Sequence, residues 1–112
     1  MSQISEDKMK EVKNYIEDND VVLFIKGTAR IPHCGFSAVV VQIFDRLGVK
    51  YKDVDILENK LWKELEVLSD WPTFPQVYVD RKFIGGCDIT REMYQTGELQ
   101  ELLKQSNIEF NA

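Results

Sequence analysis

Five consecutive apolar residues, Val21-Val22-Leu23-Phe24-Ile25, constrain this chain more than any other stretch of it. A helix lying on a protein surface spaces its apolar positions by three and four, and a half-exposed strand spaces them by two. A short run with no polar position, rich in branched and aromatic residues, fits a buried central strand instead. The residues around it supply the cover. Ser5 to Asp18 put Met9, Val12 and Ile16 on one side of an amphipathic helix. Gly27 and Pro32 punctuate a loop after the run. From Ser37 to Leu47, the residues Val40, Val41, Phe44 and Leu47 recur at helical spacing, with Gly48 as the stop.

Further along, Tyr51 to Ile56 reads as a second strand, and Leu61, Leu65 and Leu68 mark another short helix. Trp71-Pro72-Thr73-Phe74-Pro75 is a turn, because prolines three apart exclude both helix and central strand. Val77-Tyr78-Val79, a turn at Asp80-Arg81, and Phe83-Ile84 ended by Gly85-Gly86 form a hairpin. Asp88 is expected to cap a helix beginning at Ile89, and Leu99, Leu102 and Leu103 continue helical spacing after a break at Gly97. The order α-β-α-β-α-β-β-α implies a right-handed parallel crossover early and an antiparallel hairpin late. The expected fold is α/β: a small four-stranded mixed sheet flanked by helices.

The 112 residues bound the chain to one domain spanning 1–112. Its 44% apolar content, with six Phe, four Tyr and two Trp, supplies a core without a disulfide framework. The net charge of −5, from 14 basic and 19 acidic side chains, argues against nucleic acid and anionic membrane as partners. No apolar run approaches the length that spans a bilayer. Met1 to Asp20 is rich in Asp, Glu and Lys, without an apolar signal core or an Arg-rich presequence. A bacterial-type cytoplasm is therefore expected in preference to an organelle matrix.

Cys34 and Cys87 are the two cysteines, too few for a secreted scaffold. Adding His33 gives three soft ligands, where a closed zinc site takes four. A bound metal would need ligands from outside the chain. Cys34 stands just before the second helix, where orphan backbone N–H groups and the positive end of the dipole favour a thiolate. Lys26, at the end of the preceding strand, adds positive charge, and Gly35 keeps the approach open. A cysteine at such a place suggests a Cys-x-x-Cys redox pair, but the fourth position is Ser37. A hydroxyl cannot attack a mixed disulfide as a thiolate does. Cys34 must work with an outside thiol, or with Cys87.

These residues carry a resemblance. Lys26-Gly27-Thr28, Cys34-Gly35-Phe36-Ser37, Trp71-Pro72-Thr73-Phe74-Pro75-Gln76 and Gly85-Gly86-Cys87-Asp88-Ile89 resemble the monothiol (CGFS-type) glutaredoxins, in order and over essentially the whole chain. The resemblance implies a thioredoxin-like fold with a glutathione groove. It also implies a [2Fe-2S] cluster bridging two protomers, each giving one Cys34 thiolate and one bound glutathione, which makes four thiolate ligands. Lys26 would meet the glycine carboxylate of glutathione. Thr73, Phe74 and Pro75 would present backbone to the tripeptide, with a cis peptide before Pro75. Gly86, Cys87 and Asp88 would hold its γ-glutamyl end.

One departure stands out. The family usually has an arginine in the helix before Trp-Pro-Thr, as a second grip on the glycine carboxylate. Counting back from Trp71 puts Trp62 there, and counting forward from Cys34 puts Lys63 there. Lys63 is the candidate substitute, but a point charge does not reproduce a bidentate arginine fork. Weaker glutathione binding is expected. His33, adjacent to Cys34, is read as a loop residue, because chain neighbours in a loop rarely converge on one atom. Cys87 has two readings, a redox partner for Cys34 or a small residue lining the groove, and the second is preferred. The acidic face from Glu6 to Glu17 is read as solvated. Gly85-Gly86 is read as allowing close approach of the ligand.

Two functions fit. The first is a carrier that assembles, holds and transfers a glutathione-ligated [2Fe-2S] cluster as a homodimer, passing it to apo iron-sulfur proteins. A BolA-like partner supplying a histidine ligand belongs to the same reading. The alternative is a glutathione-dependent thiol–disulfide oxidoreductase that removes glutathione from proteins by a monothiol cycle. Against it, the loop Thr28 to His33 lengthens the approach to Cys34.

Overall fold

A computed structural model describes residues 4–111; residues 1–3 of the acidic N-terminal stretch, and Ala112, lie outside the described residues. The apolar run forms β1 (Val21–Ile25), with all five residues buried. β2 (Lys52–Asp55) pairs with it in parallel, Val22 opposite Lys52 and Ile25 opposite Asp55. β3 (Gln76–Val79) pairs with its other edge antiparallel, Val21 opposite Val79 and Phe24 opposite Gln76. β4 (Lys82–Gly85) adds antiparallel to β3, giving the order β2-β1-β3-β4.

Strand side chains alternate between the two faces of a sheet. Val21, Leu23 and Ile25 accordingly join one core with Val40 and Phe44 of α2 (Gly35–Arg46), Cys87 of α5 (Cys87–Thr96), and Leu99 and Leu103 of α6 (Glu98–Gln105). Val22 and Phe24 join the other with Val12 and Ile16 of α1 (Glu6–Asp18) and Leu65 of α4 (Trp62–Ser69). The Phe24 ring meets Tyr78 edge-on, centroids 5.6 Å apart. Helices on both faces are the reason that β1 carries no polar position.

Local chemistry sets the element ends. Ser5 caps α1, its Oγ accepting from the Lys8 N–H at 3.2 Å. The Ser5 N–H donates to Oε2 of the buried Glu64 at 2.9 Å, fastening α1 to α4. Asp80 and Arg81 both take positive φ (51° and 68°), the backbone of a type I′ turn. The Arg81 guanidinium then reaches Asp20 Oδ1 at 3.0 Å and the Glu17 carbonyl at 3.0 Å. Gly97 (φ 90°) separates α5 from α6 at the expected break.

Two expectations change. β2 is shorter than Tyr51 to Ile56 because Asp55 ends it and caps an extra turn, α3 (Ile56–Asn59), by accepting from the N–H groups of Leu57 and Glu58. Asp88 does not cap α5. The helix begins two residues earlier, at Cys87, with Gly86 as the N-cap and Asp88 in the first turn. Gly86 suits that place, since a Cβ would lie 3.1 Å from the Pro75 carbonyl oxygen, tighter than an ordinary contact. Among the described residues, no helix is long and apolar enough to cross a membrane.

Candidate thiol site and its groove

The loop between β1 and α2 is folded back on itself. His33 N–H donates to the Lys26 carbonyl at 2.9 Å, Thr28 N–H to the Ile31 carbonyl at 3.2 Å, and Ile31 N–H to Thr28 Oγ1 at 3.0 Å. Gly27 (φ 93°) permits this, since a Cβ would lie 2.6 Å from the Ile31 carbonyl oxygen. Two carboxylates of β2 pin the loop to the sheet: Asp55 Oδ1 accepts from Gly27 N–H at 3.1 Å, and Asp53 Oδ2 from Ala29 N–H at 2.7 Å. Neither anchor was visible in the sequence, because each partner lies more than twenty positions away.

That loop delivers Cys34 to the N-cap of α2, where it makes no capping hydrogen bond of its own. The N–H groups of Ser37 and then Phe36 face the sulfur, with the Lys26 charge and the nearby Ser37 hydroxyl adding to their effect. Together these hold the Cys34 thiol below its ordinary range, against a smaller opposing effect of burial. Ser37 is fully buried, and its Oγ accepts from the Lys26 N–H at 3.2 Å. The residue at the fourth motif position therefore ties the end of β1 to the start of α2.

Cys34 opens on a groove of about 500 Å³. Of the residues expected there, Lys26, Thr73, Phe74, Pro75, Gly86, Cys87 and Asp88 all line it. The Phe74–Pro75 peptide is cis. Cys87, at the first position of α5, is a free buried thiol held above its ordinary range by burial. Asp88 is exposed and receives a hydrogen bond from Arg91 Nη2 at 3.1 Å. Lys63 and Trp62 are exposed on α4 and are not among the residues lining the groove, leaving Lys26 as its lining cation. His33 is exposed and engages the loop through its backbone.

The sequence reading did not assign the apolar walls, Phe36, Trp71 and Ile89. Phe36 and Ile89 carry a signal that sequence does not report, accessibilities of 60% and 37%. The role read for Gly85-Gly86 also shifts toward the protein itself. A Cβ on Gly85 (φ 142°) would lie 2.8 Å from Ile89 Cβ, and one on Gly86 would press on the Pro75 carbonyl.

A four-stranded mixed sheet with a thiolate-favouring cysteine at the start of the helix that follows β1, facing a cis-proline loop, defines a thioredoxin-fold thiol protein. Residues 21–84 match the Glutaredoxin family model. The chain is 50% identical over 97 residues to the Rickettsia typhi protein "Probable monothiol glutaredoxin 2", covering 86% of this chain and 87% of that one. Among solved structures, reduced apo GrxS14 from poplar has a TM-score of 0.77 at 48% identity, covering 87% of this chain and 90% of that one. A buckwheat glutaredoxin–glutathione complex shares the fold, with a TM-score of 0.80 at 24% identity over 95% of this chain and 99% of that one. The chain belongs to the glutaredoxin family, in its monothiol branch.

Proposed function

We propose that this chain assembles, carries and hands on a [2Fe-2S] cluster, with glutathione supplying the ligands that it lacks. The observation that carries the reading is the contrast between its thiols: Cys34 is accessible and lowered, and Cys87 is buried and raised. One available sulfur per chain means that four-thiolate ligation takes two chains and two outside thiols. The groove suits glutathione as that source. Lys26 would take its glycine carboxylate, Asp88 its ammonium, and the N–H groups at the start of α5 its γ-glutamyl carboxylate. The buckwheat structure, itself a glutathione complex, supports the same ligand. The cluster is cargo, released when glutathione dissociates to an apo iron-sulfur recipient or a BolA-like partner, in a bacterial-type cytoplasm.

Anaerobic reconstitution with iron and sulfide tests this. With glutathione present the chain is expected to turn brown and dimeric, and without it to stay colourless. A colourless monomer under both conditions overturns the carrier reading.

The lowered Cys34 thiol also favours a second reading, thiol–disulfide exchange. Cys34 thiolate would attack the glutathione sulfur of a protein mixed disulfide, releasing the protein thiolate and leaving Cys34 glutathionylated. A second glutathione thiolate would then free Cys34 and leave as glutathione disulfide. Fast steady turnover on a glutathionylated peptide, together with failed reconstitution, selects this reading instead.

A further inference from the structure

Gln76 is a fully buried polar residue at the first position of β3, directly after the cis-proline. Its backbone belongs to the sheet, opposite Phe24. Its side chain turns back under the Trp71–Pro75 loop, where Nε2 donates to the Trp71 carbonyl at 2.9 Å and to the Thr73 carbonyl at 3.3 Å. Both acceptors are carbonyls, so only the NH2 end of a carboxamide can face them, and the amide orientation is fixed by its surroundings. Its Oε1 is buried without a protein partner. A buried polar side chain is costly where a packed apolar one would serve. This one spends its donors on two residues that line the groove and do not otherwise touch the sheet ladder.

We propose that Gln76 is the positioning residue of the groove: its carboxamide holds the Trp71 and Thr73 carbonyls, and so fixes the Thr73–Phe74 backbone against which glutathione lies. This rests on the glutathione reading above. Gln76 is not among the residues lining the groove. It acts by keeping a five-residue loop with two prolines in one conformation, so that ordering it is not charged against binding.

The test uses S-methylglutathione, which binds without disulfide exchange, and the Gln76→Met variant, which keeps the volume and loses both donors. Affinity is expected to fall about tenfold, the loss of roughly one to two hydrogen bonds' worth of fixation. The alkylation rate of Cys34 is expected to stay within about twofold of the parent, since nothing at the α2 start changes. Unchanged affinity in the variant, with the parent binding, overturns the inference alone. A parent that does not bind S-methylglutathione overturns the glutathione reading and this inference with it. If the variant does not fold, the unaltered chain still decides. The Gln76 side-chain NH2 is expected to exchange with solvent far more slowly than those of the exposed Gln42, Gln95 and Gln105, and to shift on saturation with S-methylglutathione. Fast exchange with no shift on saturation overturns the proposal.

Discussion

The N–H groups of Ser37 and Phe36 are directed at the Cys34 sulfur, whereas Cys87 is packed into the first turn of α5, where burial outweighs the opposing charge of Arg91. The two thiols therefore shift in opposite directions. A lowered thiol is more ionised at any given pH, so alkylation of Cys34 by iodoacetamide is expected to rise through a midpoint below the ordinary 9.0, and that of Cys87 through one above it. Peptide mapping after one equivalent at neutral pH should find the label on Cys34. Ser37→Ala removes the hydroxyl donor and orphans the Lys26 N–H, but keeps the backbone donors. The Cys34 midpoint should move up without reaching that of Cys87, and urea unfolding should show a loss of about 1 kcal/mol. The thiolate was legible at this scale because a helix start polarises whatever stands there. The second duty of Ser37 was not legible, since its acceptor role is to a residue eleven positions back.

At the scale of elements, the β1–α2 loop is held by two backbone hydrogen bonds of its own, a third to the Thr28 hydroxyl, and two to Asp53 and Asp55. All of them depend on Gly27 holding a positive φ with a carbonyl oxygen where a Cβ would be. Gly27→Ala is expected to cost on the order of 2–3 kcal/mol and to lower the thermal midpoint. Gly35→Ala, with open space around its Cβ, is expected to cost little by the same measurement. The helix and strand cores were legible from periodicity, and their ends were less so. Asp55 reads as strand and works as a cap, and Asp88 reads as a cap and sits inside the helix. In both cases a long-range neighbour decides: Gly27 N–H on Asp55, and the Pro75 carbonyl against Gly86. Counting along the chain points to Lys63, but counting does not report placement: Lys63 is exposed on α4 and does not line the groove.

For the whole molecule, β1 is the partition between two cores, and its residues answer to both. Phe24→Ala empties one face, and equilibrium denaturation should register a loss of about 3–5 kcal/mol. Val67→Ala, on the exposed side of α4, should stay within about 0.5 kcal/mol. The unbroken apolar run announced this two-sided burial, and the four motifs lie in chain order where the sheet gathers them at one groove. What remains at this scale is the proposed assembly, in which two chains each give one accessible sulfur to a shared cluster. Chemical analysis of the anaerobically reconstituted protein tests that most directly, counting iron, sulfide and glutathione per chain in the parent, in Cys34→Ser and in Cys87→Ser. One iron, one sulfide and one glutathione per chain are expected in the parent and in Cys87→Ser, with none in Cys34→Ser. Iron and sulfide retained by Cys34→Ser would contradict the account.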